Sequence, residues 1–138
     1  MKTALALLAA LVLAGCTTQL GVDNSQNHEA SFSNITGVLT TRYSADPEAV
    51  FNAVKRTIDA MPGTLRTGET DERGANKELL SVTAYARTIG DLEIKITIEK
   101  AEDEVTKAAF TRVQVKYGFF GNLPESQKIV SKITSNLR

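Results

Sequence analysis

The stretch that most constrains the fold is Leu92-Glu-Ile-Lys-Ile-Thr-Ile-Glu99. Leu92, Ile94, Ile96 and Ile98 alternate with Glu93, Lys95, Thr97 and Glu99, a period of two held over eight residues. Side chains of a strand point to opposite faces in turn, so this pattern makes one face aliphatic and the other charged. Parallel sheets are covered on both faces and read as continuous apolar runs; an alternating strand belongs to an antiparallel sheet with one dry and one wet face.

Other segments repeat the pattern. Leu80, Val82, Ala84 and Ala86 alternate with Ser81, Thr83, Tyr85 and Arg87, and Thr111, Val113, Val115 and Tyr117 with Arg112, Gln114 and Lys116. Ile35 to Tyr43 is rich in β-branched residues and reads as a strand, with Gly37 at a bulge. Leu65 to Thr70 reads as a weaker strand, closed by the turn Asp71–Asn76. Two segments switch to helical spacing. Asp46-Pro47-Glu48 supplies an N-cap acceptor, a proline at the first helical position and a carboxylate near the positive end of the helix dipole. Val50, Phe51, Val54, Ile58 and Met61 then follow on one side. Asn122-Leu-Pro124-Glu125 opens a second helix with Ile129, Val130, Ile133 and Leu137 on one side.

The order β-α-β-β-β-β-α gives two apolar helix stripes and one dry sheet face to cover them. The expectation is an α+β two-layer sandwich: an antiparallel sheet of about five strands with both helices on one face, in a single domain over residues 34–138.

The N-terminus has a different character. After Met1-Lys2, residues 3–15 carry no charge. That run is short of the roughly 20 apolar residues that span a bilayer. A basic start, a short apolar stretch and small residues at its end read as a secretory signal peptide. Its ending, Leu13-Ala14-Gly15-Cys16, resembles the lipobox of bacterial lipoproteins. The resemblance implies cleavage after residue 15 and acylation of Cys16, the one cysteine in the chain. One acyl chain binds a membrane only marginally, whereas two or three anchor stably. Acylation would leave no thiol for catalysis, metal or disulfide. Thr17 is not aspartate, which by the same resemblance implies delivery to the outer membrane, facing the periplasm.

Residues 16–33 are polar and aperiodic and read as a flexible tether. At about 5–6 Å × √n, it would hold the domain roughly 20–25 Å from the lipid. His28, the single histidine, lies in it without further ligands at metal-binding spacing.

Within the domain, "ITGVLTTRYSADPEAVFNAVKRTIDAM" and "TRVQVKYGFFGNLPESQKIVSKITSNL" resemble a family of small bacterial lipoproteins classed only as a domain of unknown function. The resemblance implies the fold and no activity. At the level of fold, the element order is similar to helix-grip domains of envelope lipoproteins, such as accessory subunits of the outer-membrane β-barrel assembly machinery.

The candidate strands carry no His or Cys and no G-x-S-x-G elbow, and "TGETDERGANK" lacks the spacing of a phosphate-binding loop. Asp71/Glu72 and Glu102/Asp103/Glu104 fall in expected turns, where carboxylates are solvated, and the second set lacks the ligand spacing of a calcium loop. Removing Lys2 from 16 basic residues leaves 15 against 16 acidic ones, which gives no electrostatic reason to expect nucleic acid. No enzymatic activity and no cofactor are expected.

Two surfaces are candidates for interaction. Strand parity places Arg42, Arg87, Lys95, Arg112 and Lys116 on the wet face against Glu93 and Glu99, a basic bias suited to an acidic partner. Phe119 and Phe120 sit together between Gly118 and Gly121, with one ring expected inward under the second helix and the other free for a protein contact. The functional expectation is an acyl-anchored, non-enzymatic envelope module that binds a protein. The alternative is a carrier of a small apolar ligand held between helices and sheet.

Overall fold

The structure is a computed structural model that describes residues 17–20 and 30–137. The elements are β1 (Thr17–Leu20), β2 (Ala30–Ser33), β3 (Val38–Tyr43), α1 (Pro47–Ala60), β4 (Thr64–Arg73), β5 (Leu79–Thr88), β6 (Glu93–Glu102), β7 (Ala109–Tyr117) and α2 (Leu123–Asn136). The strands form one sheet in the order β1-β2-β3-β7-β6-β5-β4, antiparallel at every joint. Helix α1 carries the chain from β3 to the far edge at β4. The meander β4–β7 then returns to pair β7 with β3.

Both helices begin as their sequences dictate. The Asp46 carboxylate accepts from the Ala49 amide at 2.8 Å and the Asn122 side chain from the Glu125 amide at 3.1 Å, each satisfying an amide the helix leaves orphaned. Val50, Val54 and Ile58 of α1 and Ile129, Val130 and Ile133 of α2 are buried, together with Leu39, Ile94, Ile96, Ile98, Val113 and Val115 of the sheet. Tyr43 ties the layers together: its hydroxyl donates to the Val130 carbonyl at 3.2 Å and bonds Thr134 Oγ1 at 3.1 Å. The result is an α+β two-layer sandwich with both helices on one sheet face.

Several local readings are corrected. Six strands lie between Ala30 and Tyr117 and the short β1 extends the edge, so the count exceeds five. Ala30 and Phe32 are buried, and β2 pairs with β3. The domain therefore begins inside the segment read as a tether, and Thr17–Leu20 pairs with Ser33–Ala30. Ser31 and Ser33, alternating with the two apolar residues, masked a four-residue strand. Residues 1–16, with the run read as a signal peptide and Cys16, and residues 21–29, with His28, lie outside the described residues. Ile35-Thr36-Gly37 is a turn, closed by the Gly37 amide on the Ser33 carbonyl at 2.8 Å. Gly37 takes φ +72° there, a conformation glycine adopts freely. In β5, Leu79 is buried in place of Leu80 because the register with β4 shifts between Glu72 and Arg73. Asp71 and Glu72, expected in a turn, lie on β4 itself, paired with Val82 and Ser81. Leu92 precedes β6 and is 46 % exposed at the sheet end.

Candidate interaction surface

The open sheet face is built in transverse rows fixed by strand register. Its middle row is Ser31, Thr40, Gln114, Thr97, Thr83 and Thr70, contributed by β2, β3, β7, β6, β5 and β4. Two like-charged cross-strand pairs flank it. Arg42 lies opposite Arg112, and Lys95 opposite Lys116. Like charges facing each other across a ladder are destabilising, so how each pair is compensated matters.

The arginine pair is compensated. Arg112 forms an ion pair with Glu99, Arg42 lies 3.5 Å from Asp103, and both guanidinium groups lie within 6 Å of the Phe110 ring centroid, at 5.6 and 5.0 Å. Asp103 is itself fixed by amide donors from Thr106 and Val105, each at 2.9 Å. Those bonds, that from Thr106 first, hold its carboxyl below the usual range. Arg87 is also compensated, by Asp91 at 2.9 Å and Glu93 at 3.9 Å.

The lysine pair is different. Neither Lys95 nor Lys116 has a carboxylate partner among the described residues. Both line a groove of about 660 Å³ with Thr97, Gln114, Ile35, Phe119 and Phe120, and the Lys116 ammonium lies 5.6 Å from the Phe119 ring centroid. The structure thus brings the basic face and the aromatic loop, two separate features of the sequence, to one place.

Phe119 and Phe120 overturn the expectation of one inward ring. They are 80 % and 87 % exposed and stack edge to face with centroids 4.9 Å apart. Gly118 and Gly121 take φ +76° and +81°, and the layer under α2 is already filled by Leu123, Ile129 and Tyr117. Ile35, from the β2–β3 turn, is a further 80 % exposed neighbour. Sequence reasoning missed it by reading it into the strand.

The clefts elsewhere are open and shallow in chemistry. One of about 460 Å³ lies between the start of α1 and the β4–β5 turn, lined by Pro47, Glu48, Arg73, Leu79 and Phe110. Glu48 and Asp71 hold Arg73 there at 3.2 and 3.0 Å. Another of about 490 Å³ lies at the sheet end between Met61, Ile89, Leu92, Tyr117 and Ile129. No group of three His, Cys, Asp or Glu suited to a metal occurs among the described residues, and no helix among them is long and apolar enough to cross a membrane.

A family model for a protein of unknown function, DUF3568, matches residues 1–136. The chain belongs to the DUF3568 family. No curated protein matches it. Among solved structures, CalU16 from Micromonospora echinospora is similar over 88 % of this chain and 85 % of that chain, at 10 % identity and a TM-score of 0.39. The DUF3568 match extends across the N-terminal segment as well as the folded domain.

Proposed function

We propose that this DUF3568 protein is an acyl-anchored envelope lipoprotein, held in the outer membrane through Cys16 and facing the periplasm, whose open sheet face binds an acidic protein surface without catalysis. The anchor reading rests on Leu13-Ala14-Gly15-Cys16 at the end of a short uncharged run. The binding reading rests on one observation above all: Lys95 and Lys116 face each other across the β6–β7 ladder with no carboxylate in ion-pair contact among the described residues, whereas both members of the Arg42–Arg112 pair on the same face have one. A partner that brings carboxylates to the lysines removes a repulsion the free domain carries, which favours association and steers encounter. The polar row of Thr97 and Gln114 beside them offers hydrogen-bonding groups to the same partner. Carriage of a small apolar ligand has less support, because buried aliphatic side chains of α1, α2 and the sheet fill the space between the layers.

The test is a photo-crosslinking residue at Thr97 in the anchored protein in living cells. The expected result is an adduct with a discrete protein that disappears in the Lys95→Glu/Lys116→Glu variant and persists in Lys100→Glu, an exposed control. An adduct indifferent to charge reversal, or none at all, rejects the binding face.

A further inference from the structure

Six of the seven large apolar side chains exposed among the described residues lie at one end of the sheet: Ile35, Leu65, Ile89, Leu92, Phe119 and Phe120. Register fixes that end, because Val38 pairs with Lys116, Ile94 with Tyr117, Arg87 with Glu93 and Thr64 with Thr88. The six come from the β2–β3, β5–β6 and β7–α2 connections and from the start of β4. Val105, the seventh, lies at the opposite end, in the β6–β7 turn.

The chain enters at the same end. Thr17 pairs with Ser33, the residue from which the Ile35 turn departs, and Cys16 is one peptide unit away, about 3.8 Å between Cα atoms. From these two observations, and resting on the lipoprotein reading of Cys16, we propose that the apolar end seats on the lipid surface, with Phe119, Phe120 and Ile35 inserted at the headgroup–acyl boundary. A tether of 20–25 Å would leave the domain free to tumble, but a strand that starts at Thr17 holds this end against the bilayer. The occupant is a membrane and not a protein because the side chains protrude from loop tips: Ile89, Phe119 and Phe120 are 89 %, 80 % and 87 % exposed. Apolar anchors for proteins sit in packed pockets, whereas shallow insertion of aromatic and aliphatic tips is how interfacial segments bind lipid. The seat turns the Lys95–Lys116 row sideways, open to a neighbouring envelope protein.

The chain contains no tryptophan and a single cysteine, and the chain from Cys16 onward carries every described element. Phe119→Trp, Phe120→Trp and Val105→Trp each introduce a lone tryptophan that can be excited apart from the three tyrosines, and the thiol of Cys16 can be coupled to a maleimide lipid in phosphatidylcholine vesicles with brominated acyl chains. Phe119→Trp and Phe120→Trp should show blue-shifted emission and strong quenching by shallow bromines, with Val105→Trp unaffected. Unquenched fluorescence at both 119 and 120, or equal quenching at 105, overturns the seat. Chemical coupling makes this independent of acylation in the cell, which the mass of the native N-terminal peptide decides separately.

Discussion

Gly37 and Gly121 meet backbone to backbone. A Cβ on Gly121 would collide with the Gly37 carbonyl oxygen and lie 2.5 Å from its Cα, and a Cβ on Gly37 would collide with the Phe120 carbonyl oxygen and lie 2.9 Å from the Gly121 Cα. This contact clips the β2–β3 turn to the β7–α2 loop and sets Ile35 beside the two phenylalanines.

Gly121→Ala meets both a collision and a left-handed conformation, at φ +81°. The conformation alone costs about 1–2 kcal/mol, so the unfolding free energy from denaturant titration should fall by more than that. Gly68 has no heavy atom within 4 Å of where a Cβ would stand. Gly68→Ala should therefore be neutral or stabilising by about 0.5–1 kcal/mol.

Ile96 is fully buried while Lys95, its neighbour, faces solvent. Ile96→Ala should destabilise by about 2–5 kcal/mol. Lys95→Ala relieves the repulsion from Lys116 and should stabilise slightly, within the roughly 0.5 kcal/mol typical of surface changes. Equal small losses for the two variants would contradict the strand parity.

Phe119→Ala and Phe120→Ala should each leave stability within about 0.5 kcal/mol of the parent, since both rings are solvated in the folded state. A loss of about 3–5 kcal/mol in either variant would mean that its ring belongs to the core.

Burial pushes the Tyr43 phenol up from 10.0 to about 12, against a smaller lowering by its bond to Thr134. Below pH 10 the phenol is neutral folded and unfolded, and stability is level. Between pH 10 and about 12 the unfolded chain ionises first, so stability falls as pH rises. Tyr43→Phe should remove that part of the alkaline decline, as measured by urea unfolding across the window.

Much of this was legible in the sequence because each element carries its own period. LEIKITIE announces a half-buried strand, and Asp46-Pro47 and Asn122-Leu-Pro124 announce helices whose caps form as written. What was not legible depends on contacts between distant segments. β2 offers only Ala30 and Phe32, too few to show a period, and is recognisable only once paired with β3. Leu79 replaces Leu80 inside because of a register shift that no local pattern marks. The groove exists because Gly37 and Gly121 touch, and neither glycine signals the other. Parity did separate Lys95 and Lys116 from the core, but which arginines find carboxylates depends on cross-strand register, which sets Glu99 opposite Arg112, and on the turns, where Asp103 reaches Arg42 and Asp91 reaches Arg87.

The anchor at Cys16 sets where the protein works and is the claim on which the membrane orientation rests. Its direct test is the intact mass of the N-terminal peptide of the mature protein purified from membranes. The account predicts a peptide that begins at Cys16 and carries a diacylglyceryl group, with no signal peptide remaining, and a Cys16→Ser variant that retains residues 1–15 and takes up no labelled palmitate. A mature protein with an unmodified Cys16 thiol, or unchanged palmitate labelling in Cys16→Ser, would contradict it.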